Sequence, residues 1–177
     1  TKIALPKLPK KQKGLTLKEK RKKIAQSKQQ KKQAKDKSIN GISPSQSQLN
    51  NLLELYQGGR YFDAENLAVS ITQQFPEHQF GWKVLGVVFS QTGKNSKAVN
   101  ANQKAVKLSP QDYEAYYNLG NTLKKLTRLD EAEASYRQAI GIKPDFVEAQ
   151  NNLGSTLQEL GKLEEAEKSF RQAIALK

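Results

Sequence analysis

From Ser45 onward the chain repeats itself every 34 residues, and this period limits the fold more than any other feature. Pro recurs at Pro76, Pro110 and Pro144. Ala recurs at Ala64, Ala98, Ala132 and Ala166. Gly recurs at Gly59, Gly93 and Gly161, with Thr127 in the remaining slot. Leu85-Gly86, Leu119-Gly120 and Leu153-Gly154 repeat in step. A repeat this short is one supersecondary unit that cannot bury its apolar face alone, so successive units must stack.

Within each unit the apolar spacing is helical. Tyr116, Leu119, Gly120 and Leu123 follow i, i+3, i+4, i+7, and Ala132, Tyr136, Ala139 and Ile140 form a second stripe. The Gly or Thr between the stripes ends the first helix, and the Pro separates units. Gly120 and Ala132 are small where two helices are expected to cross closely. The predicted architecture is all-α, with units at 45–78, 79–112, 113–146 and 147–177. No strand is predicted. The first unit is degenerate: it keeps Leu55, Ala64 and Pro76 but carries Leu52 at the Gly slot.

The pattern resembles the tetratricopeptide repeat (TPR), carried by Trp82, Leu85, Gly86, Phe89, Ala98, Ala105 and Pro110 in the second unit. Tyr116, Leu119, Gly120, Leu123, Ala132, Tyr136, Ala139 and Pro144 carry it in the third. Gln150, Leu153, Gly154, Leu157, Ala166, Phe170 and Ala173 carry it in the fourth. The resemblance covers 45–177, about three quarters of the chain. Asn102 departs from it, standing where the motif has an aromatic, and a looser helix contact is expected there. The resemblance implies a right-handed superhelical solenoid whose first helices line a concave, partner-binding groove. Its repeats are like those preceding bacterial O-linked N-acetylglucosamine transferase-type or sulfotransferase domains. That makes a substrate-recruiting region of such a transferase an alternative reading. The array ends without a polar capping helix, which points to an N-terminal fragment of a longer protein or to self-association through the open end.

On the first helices, one stripe away from the packing face, Asn50, Val84, Asn118 and Asn152 share a repeat position. Leu53, Val87, Asn121 and Ser155 share the next, and Phe80 and Lys125 lie on the same face. An amide both donates and accepts, so it can pair with a peptide backbone regardless of sequence. The Asn row therefore has two readings: a ladder for an extended peptide, like that of the transferase superhelix, or shared descent of duplicated repeats. Phe80, Val84 and Val87 are apolar. They either pack against the preceding unit or receive an apolar segment, such as Ile3–Leu5 or Leu15–Leu17 of the chain's own tail. The family's carboxylate clamp for chaperone C-termini is not matched, because Lys83 is followed by Val87 and the last unit offers Glu148 and Asn152.

All of the net charge lies outside the array. Residues 1–37 hold 15 Lys and Arg against 2 acids, while 38–177 balance at 15 each. Thr16 to Glu19 form a capping-box pattern opening a Lys/Gln-rich segment, and 38–44 form a linker with helix-start signals at Ser43 and Pro44. Lys18, Lys20, Arg21, Lys22, Lys23, Lys31 and Lys32 are candidate polyanion contacts, for nucleic acid or an acidic partner. No aromatic residue precedes Tyr56, so binding by the tail would be nonspecific. Its other reading is a solvated tail.

The motifs expected of an enzyme are missing. The single His, His78, lies in a loop and is expected to be solvated, and Glu164, Glu165 and Glu167 beside Lys162 and Lys168 look like a charged helix face. No phosphate loop, cofactor motif or metal-ligand cluster occurs, and there is no Cys. No apolar run approaches the ~20 residues that span a bilayer. The expectation is a cytoplasmic scaffold that binds a peptide or protein, with a nucleic-acid- or ribosome-associated protein as the alternative.

Overall fold

A computed structural model describes residues 43–176; the basic segment 1–37, its Thr16–Glu19 capping pattern and most of the linker lie outside the described residues. Among the described residues there are eight helices and no strand. They are α1 (Gln46–Gln57), α2 (Tyr61–Gln74), α3 (Gln79–Gln91), α4 (Asn95–Leu108), α5 (Tyr113–Lys125), α6 (Leu129–Ile142), α7 (Val147–Glu159) and α8 (Leu163–Ala175). Each helix packs on the next, and the first helices of successive units also touch: α1 on α3, α3 on α5, α5 on α7.

The helix ends follow the signals in the sequence. Ser45 caps α1, its hydroxyl accepting from Gln48 N at 3.2 Å while Gln48 Oε1 accepts from Ser45 N at 2.9 Å. The start is thus one residue beyond Pro44, which is buried. α2, α4 and α6 end two residues before Pro76, Pro110 and Pro144. The first helix of each unit closes with the same hydrogen bond, from Arg60 N to Leu55 O, Lys94 N to Phe89 O, Arg128 N to Leu123 O and Lys162 N to Leu157 O, at 2.8–3.0 Å. This closure needs a left-handed residue one position earlier. Gly59, Gly93 and Gly161 supply it at φ 70–76°, and Thr127 is forced to φ 58°. For a β-branched residue that is strain.

Where the two helices of a unit cross, one residue of the first helix meets the residue 16 positions later. A Cβ on Gly120 would lie 2.7 Å from the Tyr136 ring, and one on Gly154 would lie 2.8 Å from the Phe170 ring. In the first unit the sizes are reversed, with Leu52 and Ala68 both fully buried in one cluster. The Leu at the Gly slot is therefore matched by a small partner. In the second unit the expectation of a looser contact at Asn102 is not met. Asn102 is fully buried, and a Cβ on Gly86 would overlap its carboxamide, 1.9 Å from Oδ1. Its Nδ2 donates to Thr122 Oγ1 at 3.0 Å and to Asn118 O at 3.2 Å, so it ties α4 to the next unit. Its Oδ1 has no partner among the described residues.

Two buried clusters follow from this stacking. The first centres on Leu52, Ile71, Val84, Leu85 and Val88, the second on Leu119, Leu123, Tyr136, Leu153 and Leu157. Ion pairs lace the units at fixed steps. Lys94 pairs with Glu65 and Lys162 with Glu133, each at 2.7 Å, and Arg137 joins Glu133 to Glu165. Around Glu164–Glu167 the pairing is of both kinds: Glu167 pairs with Arg171 within α8, as the spacing suggested, while Lys162 and Glu165 reach back to the preceding unit.

Replacing Thr127 by Gly removes the strained left-handed residue. Thr127→Gly is expected to raise unfolding stability by about 1 kcal/mol in urea denaturation.

Candidate functional site

The first helices form a groove of about 660 Å³ that runs from Tyr56 on α1 to Glu159 on α7. Val87, Ser90 and Gln91 of α3 line it, followed by Asn118, Asn121, Thr122, Lys124 and Lys125 of α5. Tyr136 and Asn152 contribute from α6 and α7. Of the residues singled out in the sequence, Val87, Asn118, Asn121, Lys125 and Asn152 therefore meet in one groove.

The others are placed differently. Val84 is only 7% exposed and belongs to the core beside Leu52 and Leu85, and Phe80 packs against the same cluster. Val84 has no free face with which to bind a partner. Asn50 is exposed, and its Oδ1 accepts from Gln46 Nε2 at 2.9 Å, away from the groove lining. Ser155 is engaged by Lys124, whose Nζ lies 2.7 Å from its hydroxyl and 3.1 Å from Glu159. His78 is half-buried rather than solvated, just before α3, and burial lowers its pKa.

The Asn residues in the groove are not equivalent. Asn152 Nδ2 donates to Asn121 Oδ1 at 2.8 Å and to the Tyr117 hydroxyl at 3.2 Å. Asn121 Oδ1 also accepts from the Tyr136 hydroxyl at 2.8 Å. Asn121 and Asn152 thus form a network that satisfies a buried phenol and joins the third unit to the fourth. Asn118 is different. Its backbone carbonyl accepts from Asn102 and Thr122, but its side-chain amide has no partner among the described residues. Sequence register grouped Asn118 with Asn152 without revealing this difference.

The charges at the rim are mostly spoken for. Lys83 reaches Asp112 at 3.0 Å and Glu114 at 2.7 Å. Burial opposes the Lys83 charge, but these two carboxylates outweigh it and raise its pKa. Asp112 also caps α5, accepting from Glu114 N and Ala115 N. Lys125 is exposed, and its Nζ lies 3.0 Å from Ser90 Oγ and 3.2 Å from Ser90 O. Tyr56 and Tyr136 both have raised phenol pKa values, caused first by burial and then by a neighbouring tyrosine. Among the described residues no group of three or more His, Cys, Asp or Glu could hold a metal ion, and no helix is long and apolar enough to cross a membrane.

Residues 113–146 and 147–177 match the family model described as a tetratricopeptide repeat, and residues 86–127 match one described as a TPR repeat. A UDP-N-acetylglucosamine–peptide N-acetylglucosaminyltransferase of Caenorhabditis elegans is 33% identical over 95 residues. The match takes in 53% of this chain but only 8% of that enzyme. Among solved structures, a crystal structure of MamA superposes with a TM-score of 0.71 at 24% identity, covering 79% of this chain and 83% of that one. MamA from residue 41 to its end, from Desulfovibrio magneticus RS-1, gives 0.69 at 19% identity, with 73% of each chain covered. At these identities the likeness to MamA is one of fold.

The buried phenol of Tyr136 makes stability depend on alkaline pH. Its pKa is raised in the folded state from an ordinary value of 10.0, so its contribution is complete below pH 10 and is lost as pH rises beyond it. The stability of the parent chain is expected to fall more steeply above pH 10 than that of Tyr136→Phe, as measured by urea midpoints across that range.

Proposed function

The chain belongs to the tetratricopeptide repeat family, and on that premise we propose that its groove receives an extended segment of a partner protein. The array is a helical protein-interaction scaffold. The proposal adds where the partner lies and which groups hold it. The observation that carries it is the Asn118 side chain. It lines the groove, and its amide has no partner of its own among the described residues. A peptide backbone offers the alternating N–H and C=O groups that a free carboxamide pairs with, whatever the peptide's side chains. Asn121 and Asn152 then act mainly by shaping the wall, since their mutual hydrogen bond is already made. In this reading the Asn ladder is reduced to a single free rung beside a rigid pair.

A second reading is favoured by the stretch similar to the C. elegans transferase. There the array would serve as the substrate-recruiting region of a larger transferase. The residues that would bind are the same in both readings, so the two differ only in what else the protein carries. The Lys-rich segment 1–37 is proposed as a nonspecific anchor for nucleic acid or an acidic partner, on its charge alone. A cytoplasmic setting fits a chain without Cys.

Asn118→Ala removes a polar side chain that makes no internal hydrogen bond. It is expected to weaken a peptide selected on the full chain by about 1 kcal/mol while leaving the urea midpoint unchanged. Asn152→Ala should lower both affinity and stability, because it also frees a buried network. Titration calorimetry beside denaturation separates the two. Full affinity in Asn118→Ala would remove the groove amide from the account.

A further inference from the structure

Along the stack the groove changes chemistry. One repeat position reads Leu53, Val87, Asn121 and Ser155 from α1 to α7. Leu53 is exposed on α1, one turn before Tyr56, and Tyr56 and Val87 line the groove at that end. Past Ser90 the lining is polar.

Three lysines stand on the first helices: Lys83, Lys124 and Lys125. Lys83 is held by the carboxylates of Asp112 and Glu114, and Lys124 by that of Glu159. Lys125 is not: among the described residues its Nζ meets only the hydroxyl and carbonyl of Ser90. An ammonium group has three donors and Ser90 takes two, leaving one. The Ser90 hydroxyl accepts from Lys125 and, among the described residues, has no acceptor for its own proton. Asn118 lines the same groove. Lys125 and Ser90 thus present donors around a charge that no carboxylate among the described residues meets, the complement of a carboxylate.

We infer that the occupant is a peptide segment carrying an acidic side chain that meets Lys125 and Ser90, while Asn118 holds its backbone, and an aliphatic or aromatic side chain that lies toward Leu53, Tyr56 and Val87. This rests on the groove reading above and adds the chemistry and direction of the ligand.

The test uses a displayed library of random, unphosphorylated peptides selected on the full chain. Selected sequences are resynthesised with amidated C-termini, so that only side-chain carboxylates remain, and titrated by fluorescence anisotropy. The expected binders contain Asp or Glu at a fixed spacing from an apolar residue. Lys125→Gln should weaken them about fivefold. It should leave nearly unchanged the counterparts that carry Asn or Gln in place of the acid, and it should flatten the salt dependence. Suppose instead that the binders respond to Asn118→Ala and Val87→Glu but show no acidic enrichment and no response to Lys125→Gln. The inferred chemistry is then wrong and the groove reading stands. Binders insensitive to all three substitutions would overturn the groove reading and this inference together.

Discussion

Each unit depends on one close crossing, between a residue of its first helix and the residue 16 positions later on its second. The two must be complementary in size. Gly120 against Tyr136 and Gly154 against Phe170 let a ring approach a helix backbone, while Leu52 with Ala68 exchanges the large and the small partner. Because interiors are close-packed, neither partner can grow without pushing the helices apart. The crossing fixes how the two helices of a unit meet, and each unit then stacks on the next. The groove lining comes mainly from first helices held in this way.

The crossing also reaches into the site. Tyr136 covers Gly120 with its ring and points its hydroxyl at Asn121, which is tied in turn to Asn152. One side chain thus serves packing on one face and the groove wall on the other. Asn102 does something similar a unit earlier, filling the space over Gly86 and donating to Thr122 and to the carbonyl of Asn118. The amide of Asn118, unpartnered among the described residues, is therefore carried on a backbone pinned from below, which would limit the ordering cost of the binding proposed there.

The fold was legible because its signals are local and repeated. Pro76, Pro110 and Pro144 mark unit ends, and the left-handed slot at Gly59, Gly93, Thr127 and Gly161 marks every inner turn. The helical stripes around Leu119 and Leu153 carry the core. The site was legible only by register, which gathers residues 34 apart but says nothing of their partners. Asn118 and Asn152 look alike in sequence because the groups that separate them are distant in it. Asn121 and Tyr117 lie 31 and 35 residues before Asn152. Val84 was placed on the groove face for the same reason, though it is buried in the core with Leu52 and Leu85. Asn102 was misjudged because the aromatic preference of its slot says nothing of a polar side chain that finds Thr122.

If partners are read by the groove of first helices, as proposed, position-resolved photo-crosslinking will show it, with a photoreactive residue placed at Val87 in the groove or at Asn100 on α4, in the otherwise unaltered full chain. Adducts with a peptide selected on the full chain are expected from position 87 and not from position 100. Adducts from position 100 with none from position 87 would place the partner elsewhere.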